Sequence, residues 1–170
     1  MSTVRQQIWE DLKTYKTYIE CCRAYTSKRR AYNRRMKSAI IVVTVLGAFG
    51  FFINEWITFS TTTIAFLGEV SQKLLPQLNQ PEEELVRLDN IASSFEETLI
   101  KIEALWNRYE NDKLDDEQAN KLLAKYNNGH TNNKSEMNKL VRKISHKENI
   151  SYQKAADEYL KRKFYADESE

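Results

Sequence analysis

The stretch SAIIVVTVLGAFGFFI, residues 38–53, decides how this chain of 170 residues is interpreted. It is uncharged and almost wholly apolar, and it ends at Asn54 and Glu55. A helix needs about 20 apolar residues to cross a bilayer, and Met36 and Trp56 extend this shorter run. It begins too far from the N-terminus for an ordinary signal peptide. We therefore predict a transmembrane helix here, with a buried core helix as the alternative.

A second run, WITFSTTTIAFLGEVSQKLLP at residues 56–76, is more polar but long enough to return across the bilayer. Its polar side chains fall along one stripe of a helix, and such a stripe needs a partner or water inside a membrane. We expect it to line a pore in a homo-oligomer, with a tetramer as the first expectation. The candidate pore-lining residues are Thr58, Thr62, Glu69 and Gln72. The alternative places Glu69 at the headgroup level, beside Lys73.

Charge is distributed unevenly along the chain. Residues 1–37 carry 10 basic and 3 acidic groups, a net charge of +7, whereas residues 81–170 carry 15 and 19, a net charge of −4. Because positive charges next to a span are retained in the cytoplasm, the run KRRAYNRRMK at residues 28–37 predicts a cytoplasmic N-terminus. The returning second span predicts a cytoplasmic C-terminus as well. The lipid bilayer is thus an expected partner.

The rest of the chain is typical of helices, because 4 Gly and 2 Pro in the whole sequence leave little material for strands and hairpin turns. The predicted fold class is all-α: a two-helix transmembrane hairpin continued by a long, coiled-coil-like cytoplasmic helix pair, plus short C-terminal helices. No Gly or Pro interrupts residues 4–46, so one continuous helix is expected there. Its apolar stripe comprises Ile8, Leu12, Tyr15, Ile19 and Cys22.

A matching stripe begins after Pro81, where acidic residues favour a helix N-terminus. Apolar residues then recur at alternating spacings of three and four, which predicts a heptad seam that packs against the first helix. The seam comprises Leu85, Leu88, Ala92, Phe95, Leu99, Ile102, Trp106 and Tyr109. We expect four parts: residues 1–37 as a basic and aromatic helix, 38–76 as the hairpin, 77–112 as the long cytoplasmic helix and 113–170 as a helical subdomain.

Three short helices are expected in the last part. The first has Asp115 and Gln118 in capping-box positions and ends near Tyr126. A loop is expected over residues 127–134. Asn133 with Glu136, and then Ser151, are the predicted caps of the second and third helices.

The sequence contains no motif of catalysis. His130 lies in an Asn- and Gly-containing stretch and His146 among charged residues, neither with metal ligands at a suitable spacing. A glycine-rich phosphate loop and a nucleophile elbow are also lacking. We therefore expect a non-enzyme without metal or cofactor. Cys21 and Cys22 are adjacent, so they are expected to be buried apolar residues rather than a disulfide, with lipidation as the alternative.

The basic run before residue 38 is the only constellation suited to an anion. Anionic lipid headgroups and membrane topology would explain it. Alternatively, it binds a nucleotide or single-stranded nucleic acid, with cations on the phosphates and rings against the bases. The candidate ligand-binding residues are Arg23, Tyr25, Lys28, Arg29, Arg30, Tyr32, Arg34 and Arg35.

The order of these parts resembles a bacterial family, the SLATT proteins (SMODS and SLOG-associating two-transmembrane effectors). The resemblance is carried by SKRRAYNRRMK at residues 27–37, GAFGFFINEWITF at 47–59 and LVRLDNIASSFEETLIKIEALWNRYE at 85–110. It implies a pore-forming effector of the inner membrane in an antiphage system, one that depolarises the cell under the control of a partner nucleotidyltransferase. In Hailong-type systems similar effectors are held shut by single-stranded DNA oligomers, whereas elsewhere a nucleotide activates, so both signs of gating stay open.

Two alternatives remain beside the ion channel. The first is a non-conducting membrane adaptor that recruits a partner protein through its cytoplasmic helices. The second is a helical protein that stays in solution, with residues 38–75 as a buried hairpin.

Overall fold

The computed structural model describes residues 3–50, 80–141 and 144–165. This part of the chain contains five α-helices and no strand: α1 (Val4–Gly50), α2 (Glu82–Glu110), α3 (Asp116–Asn128), α4 (Thr131–Leu140) and α5 (His146–Phe164). The predicted all-α class is therefore confirmed.

Helix α1 is continuous, as the lack of Gly and Pro between residues 4 and 46 predicted. Thr3 begins it, since its carbonyl oxygen accepts a hydrogen bond from the Gln7 amide at 3.1 Å. Pro81 does the same for α2, where its carbonyl oxygen accepts from the amides of Glu84 and Leu85 at 3.1 and 3.3 Å. In each helix this carbonyl oxygen accepts the first backbone hydrogen bond, so Thr3 and Pro81 mark the two N-termini.

The chain forms two compact units, of which the first comprises Met1–Tyr25 and Val86–Glu170. In this unit α1 and α2 run antiparallel, because Arg5 pairs with Glu110 at 2.8 Å and Arg23 pairs with Glu96 at 2.6 Å. The predicted stripes form its core, in which the following seam residues are buried: Ile8, Leu12, Tyr15, Ile19, Cys22, Leu88, Ala92, Phe95, Leu99, Ile102 and Trp106. Tyr109, at the end of the predicted seam, is only half-buried.

The second unit comprises residues 26–85, and its described residues belong to the later part of α1 and the start of α2. Here Arg30 pairs with Glu82 at 2.8 Å, and the side-chain amide of Asn33 donates to the Gln80 carbonyl oxygen at 3.0 Å. Gln80 and Leu85 are both buried. The residues that precede α2 are therefore held against α1 in this unit.

The predicted location in the inner membrane, with both termini cytoplasmic, is contradicted. Across residues 3–50, 80–141 and 144–165, none of the helices has both the length and the hydrophobicity that a membrane span requires. Within the described part of α1, the uncharged residues after position 37 share their helix with the strongly charged residues 28–37. The predicted second span and its pore-lining candidates, Thr58, Thr62, Glu69 and Gln72, lie outside the described residues.

The C-terminal helices confirm one predicted cap and correct two others. Asp115 caps α3, accepting from the Gln118 amide at 2.7 Å. The expected loop over 127–134 is wrong, because α3 continues to Asn128 and α4 begins at Thr131. Asn133 is inside α4, and its side-chain amide donates to the Ser94 hydroxyl at 3.0 Å instead of capping the helix.

Helix α5 begins at His146, so the predicted cap at Ser151 is also wrong. The cap is Ser145, whose hydroxyl accepts from the Glu148 amide at 3.2 Å while the Glu148 carboxylate accepts from the Ser145 amide at 2.9 Å. This reciprocal capping box satisfies two amide groups that the helix itself leaves unpaired.

Replacing Ser145 by alanine should therefore destabilise the protein by about 1 kcal/mol, the usual cost of a lost N-cap. Chemical denaturation followed by circular dichroism would measure it. Ser151→Ala is the matched control, since Ser151 is exposed inside α5 and alanine is the better helix former. Equal losses in the two variants would contradict the observed cap.

Cys21 and Cys22 are free and buried in the first unit. Burial raises the pKa of Cys21 to about 11 and that of Cys22 to about 12. Both side chains therefore act as small apolar core residues, as the sequence predicted.

Candidate anion-binding site

The later part of α1 presents a basic face in the second unit. Arg30, Arg34 and Lys37 lie three or four residues apart, so a helix of 3.6 residues per turn brings them to one side. Together they line a groove of about 470 Å³, within the range of small-molecule sites. The other described lining residues are Asn33, Ser38, Ile41, Gln80, Pro81 and Glu82.

One side of the groove is neutralised. The Arg30 guanidinium donates from Nε to Glu82 Oε1 at 2.8 Å, which offsets one positive charge. Asn33 uses its amide nitrogen on the Gln80 carbonyl, so this side chain forms part of the wall between α1 and the residues before α2. Arg30 and Asn33 thus contribute to the shape of the groove and add little net positive charge to it.

The uncompensated charge comes from Arg34 and Lys37. Both are exposed, and neither forms an ion pair with a residue that the structure describes. Arg35 is exposed beside them without lining the groove. The N-terminus of α2 adds little attraction for an anion, because the first turn carries the carboxylates of residues 82–84. Anion attraction therefore rests on the side chains of α1.

The other predicted ligand-binding residues are distributed differently. Arg23 belongs to the first unit and is paired with Glu96, and Tyr25 is buried there with 7% of its surface exposed. In the second unit Lys28 is exposed and Arg29 is half-buried. Tyr32 is 42% exposed, so its ring has the access that stacking on a base requires.

Comparison with known proteins leaves the family open. No protein-family model, no curated protein and no solved structure matches this chain. The resemblance to the SLATT proteins therefore stays a prediction, and the groove is interpreted from its own geometry.

Sequence reasoning named Arg30 and Arg34 as candidate site residues and included Lys37 in the basic run but not among those candidates, and it missed the wall formed by Asn33 and Gln80. The signal for Lys37 was present, because it follows Arg34 by three residues on the same helix face. The contribution of Gln80 could not be foreseen, since it depends on a contact across 47 positions of sequence.

The described groove is equipped for binding rather than for proton transfer. Among its described lining residues Glu82 is the single carboxylate, and Arg30 occupies it. Within the ranges that the structure describes, no group of three or more His, Cys, Asp or Glu side chains is placed to hold a metal ion. Guanidinium and ammonium groups at an open groove are instead suited to phosphate oxygens.

Proposed function

We propose that this protein is a non-enzymatic effector controlled by a phosphorylated ligand, a nucleotide or a single-stranded oligonucleotide, that binds in the groove of Arg34 and Lys37. The ligand is supplied by a partner nucleotidyltransferase, in a bacterial antiphage system of the kind that the SLATT resemblance implies. The observation that carries the proposal is that these two exposed cations line a groove without a described carboxylate partner. Ion conduction is not included, because it required the inner-membrane location that is contradicted.

The electrostatics support a phosphate ligand over a neutral one. Arg34 and Lys37 are one helical turn apart, so adjacent phosphates of one strand can reach both side chains. The exposed ring of Tyr32, two residues before Arg34, lies on another side of the helix and does not line the groove, so the two cations carry the argument. Phosphate neutralisation releases counterions, so binding should weaken steeply as salt is added.

Fluorescence anisotropy with a labelled 12-nucleotide single-stranded DNA, over a series of salt concentrations, tests the proposal. The double variant Arg34→Gln/Lys37→Gln should bind about tenfold more weakly. The slope of log affinity against log salt should fall by about 1.4, since each phosphate contact to a single strand contributes roughly 0.7. Competition with ATP would show whether a mononucleotide occupies the same groove.

The control is the double variant Lys121→Gln/Lys154→Gln. It removes the same net charge from exposed lysines of α3 and α5 in the first unit. It should retain nearly full affinity and the original salt slope. Equal weakening in both double variants would contradict a defined groove.

Self-association, with a tetramer as the first expectation, belongs to the same proposal. A single strand carries several phosphates, so it can contact the grooves of more than one copy and raise their effective concentration. Light scattering of the purified protein with and without the 12-nucleotide strand would measure the mass of the assembly. The Arg34→Gln/Lys37→Gln variant should lose any increase that the strand produces.

The second candidate is an adaptor that recruits a partner protein through its helices. It is favoured by a polar groove of about 490 Å³ in the first unit, where α1 faces α3. Glu10, Asp11, Asn120 and Asn127 are among its lining residues. If the protein is an adaptor, Arg34→Gln/Lys37→Gln should weaken DNA binding no more than the control variant does and should leave the salt dependence unchanged. The same experiment therefore separates the two candidates.

A further inference from the structure

His130 lies in the short connection between α3 and α4, and its ring is inserted into the first unit. The ring centroid is 5.6 Å from that of Tyr15 on α1 and 6.0 Å from that of Phe95 on α2. Its Nε2 atom lies 2.6 Å from the Thr98 hydroxyl oxygen. This histidine therefore joins the connection to both long helices at once.

The hydrogen bonds at Thr98 favour one tautomer of the ring. With the Thr98 hydroxyl donating its only proton to the Ser94 carbonyl oxygen at 3.1 Å, Nε2–H donates to Thr98 across the 2.6 Å contact. His130 Nδ1 is then the unprotonated nitrogen. It is buried and has no hydrogen-bond partner among the described residues.

A second proton on the His130 ring, at Nδ1, would have no hydrogen-bond acceptor among the described residues. Protonated histidine has an N–H group at both nitrogens, so Nδ1 would become a buried donor without a partner, which is among the rarest arrangements in folded proteins. The conclusion does not depend on the tautomer, because the doubly protonated ring is the same from either start.

The two lysines near the ring act in the same direction as its burial. Lys101 on α2 and Lys134 on α4 oppose a positive ring, whereas Glu97 on α2 favours it, and α1 contributes the phenol of Tyr15. Burial, followed by the two lysines, lowers the pKa of His130 from its ordinary value of 6.5. The native packing thus favours the neutral ring.

Residues on either side of His130 in the sequence form further hydrogen bonds to α1 and α2. The Tyr15 hydroxyl donates to Asn127 Oδ1 at 2.8 Å, and Asn127 Nδ2 donates to Asp11 Oδ2 at 2.6 Å. On the other side of the histidine, Asn133 donates to Ser94. Release of the ring would loosen all three contacts, because they anchor residues within three positions of it.

We propose that His130 is an acid-sensitive latch, in which protonation of the ring releases the α3–α4 connection from α1 and α2 within the first unit. A histidine whose pKa is lowered on folding stabilises the native state fully above its ordinary pKa. That contribution is lost as the pH falls below about 6.5, because the unfolded or undocked chain then binds the proton more readily. The device is independent of the anion-binding groove.

Hydrogen exchange of residues 127–134, corrected for the intrinsic effect of pH on exchange, tests the latch in the whole protein. When the pH is lowered from 7.5 to 5.5, the protection factors of this segment in the wild type should fall several-fold, with little change at the centre of α2. His130→Gln cannot take up a proton and keeps an amide donor for Thr98, so its protection should not depend on pH in this range.

His146 provides the matched control, because it is the only other histidine in the chain and is exposed. His146→Gln should retain the wild-type response. A nuclear magnetic resonance titration of the wild-type His130 ring keeps the test independent of how the variants fold. A titration midpoint at or above 6.5, or an equal pH response in wild type and His130→Gln, would overturn the proposal.

Discussion

Replacing Phe95 by alanine should destabilise the protein by about 3–5 kcal/mol, the range for truncating a buried aromatic residue. Phe95 is fully buried on α2. Its ring lies 5.8 Å from that of Tyr15 and 5.3 Å from that of Tyr18 on α1, and 6.0 Å from His130. Truncation would leave a cavity where three elements of the first unit meet. Urea denaturation at pH 7.5 would measure the loss.

Ile100→Ala on the same helix is the control for Phe95→Ala. Its side chain is 58% exposed, so its truncation should change stability by no more than about 0.5 kcal/mol. A comparable loss in both variants would mean that the central core of the first unit is not where the structure places it.

The second large effect is expected at Lys163, near the end of α5. Its ammonium group binds the carboxylate of Glu103 on α2. Glu103 has only 8% of its side chain exposed, and its other oxygen accepts from the Tyr159 hydroxyl at 2.9 Å. Lys163→Met should cost about 2 kcal/mol. This is less than the 3–5 kcal/mol of a fully buried pair, because Lys163 is 40% exposed and water screens its charge.

The Glu103→Gln change tests the origin of that cost. In Lys163→Met/Glu103→Gln the buried group is a neutral amide, so the double variant should be more stable than Lys163→Met alone. A double-mutant cycle from thermal denaturation would give the coupling energy of the pair. Strict additivity of the two changes would contradict a stabilising contact between these side chains.

The packing of α1 against α2 could largely be predicted from the sequence, because the apolar residues that form it recur at regular spacings along each helix. Leu88, Phe95 and Ile102 repeat every seven residues and face the stripe of α1, so spacing alone identified the core. The same spacing missed Ile91 and Leu105, which are buried as well. Each precedes a seam residue, Ala92 or Trp106, and a seam limited to the two heptad core positions does not include them.

The C-terminal helices show where local signals compete. Ser145 and Glu148 form a capping box, yet the apolar residues begin only at Ile150, so Ser151 was the more obvious cap. His130 was expected in a loop over residues 127–134, because Asn and Gly surround it in sequence. Its actual environment depends on Thr98, 32 positions away, and such tertiary contacts override local composition.

The candidate site was predictable in its charges but not in their pairing. The basic run was evident, but the carboxylates that neutralise Arg23 and Arg30 follow 73 and 52 positions later. Only the packing of α2 against α1 within each unit separates these paired residues from Arg34 and Lys37. The predicted membrane location is contradicted, because among the described residues no helix has both the length and the apolar character of a span.

The two adjacent cysteines give the first unit an intrinsic reporter of its own opening. Alkylating reagents react with the thiolate rather than the thiol, and burial keeps both thiols protonated and out of reach of the reagent. Iodoacetamide should therefore modify them only when α1 parts from its neighbours. Because the chain has no other cysteine, the alkylated fraction measured by mass spectrometry reports how many molecules have opened, and no engineered label is needed.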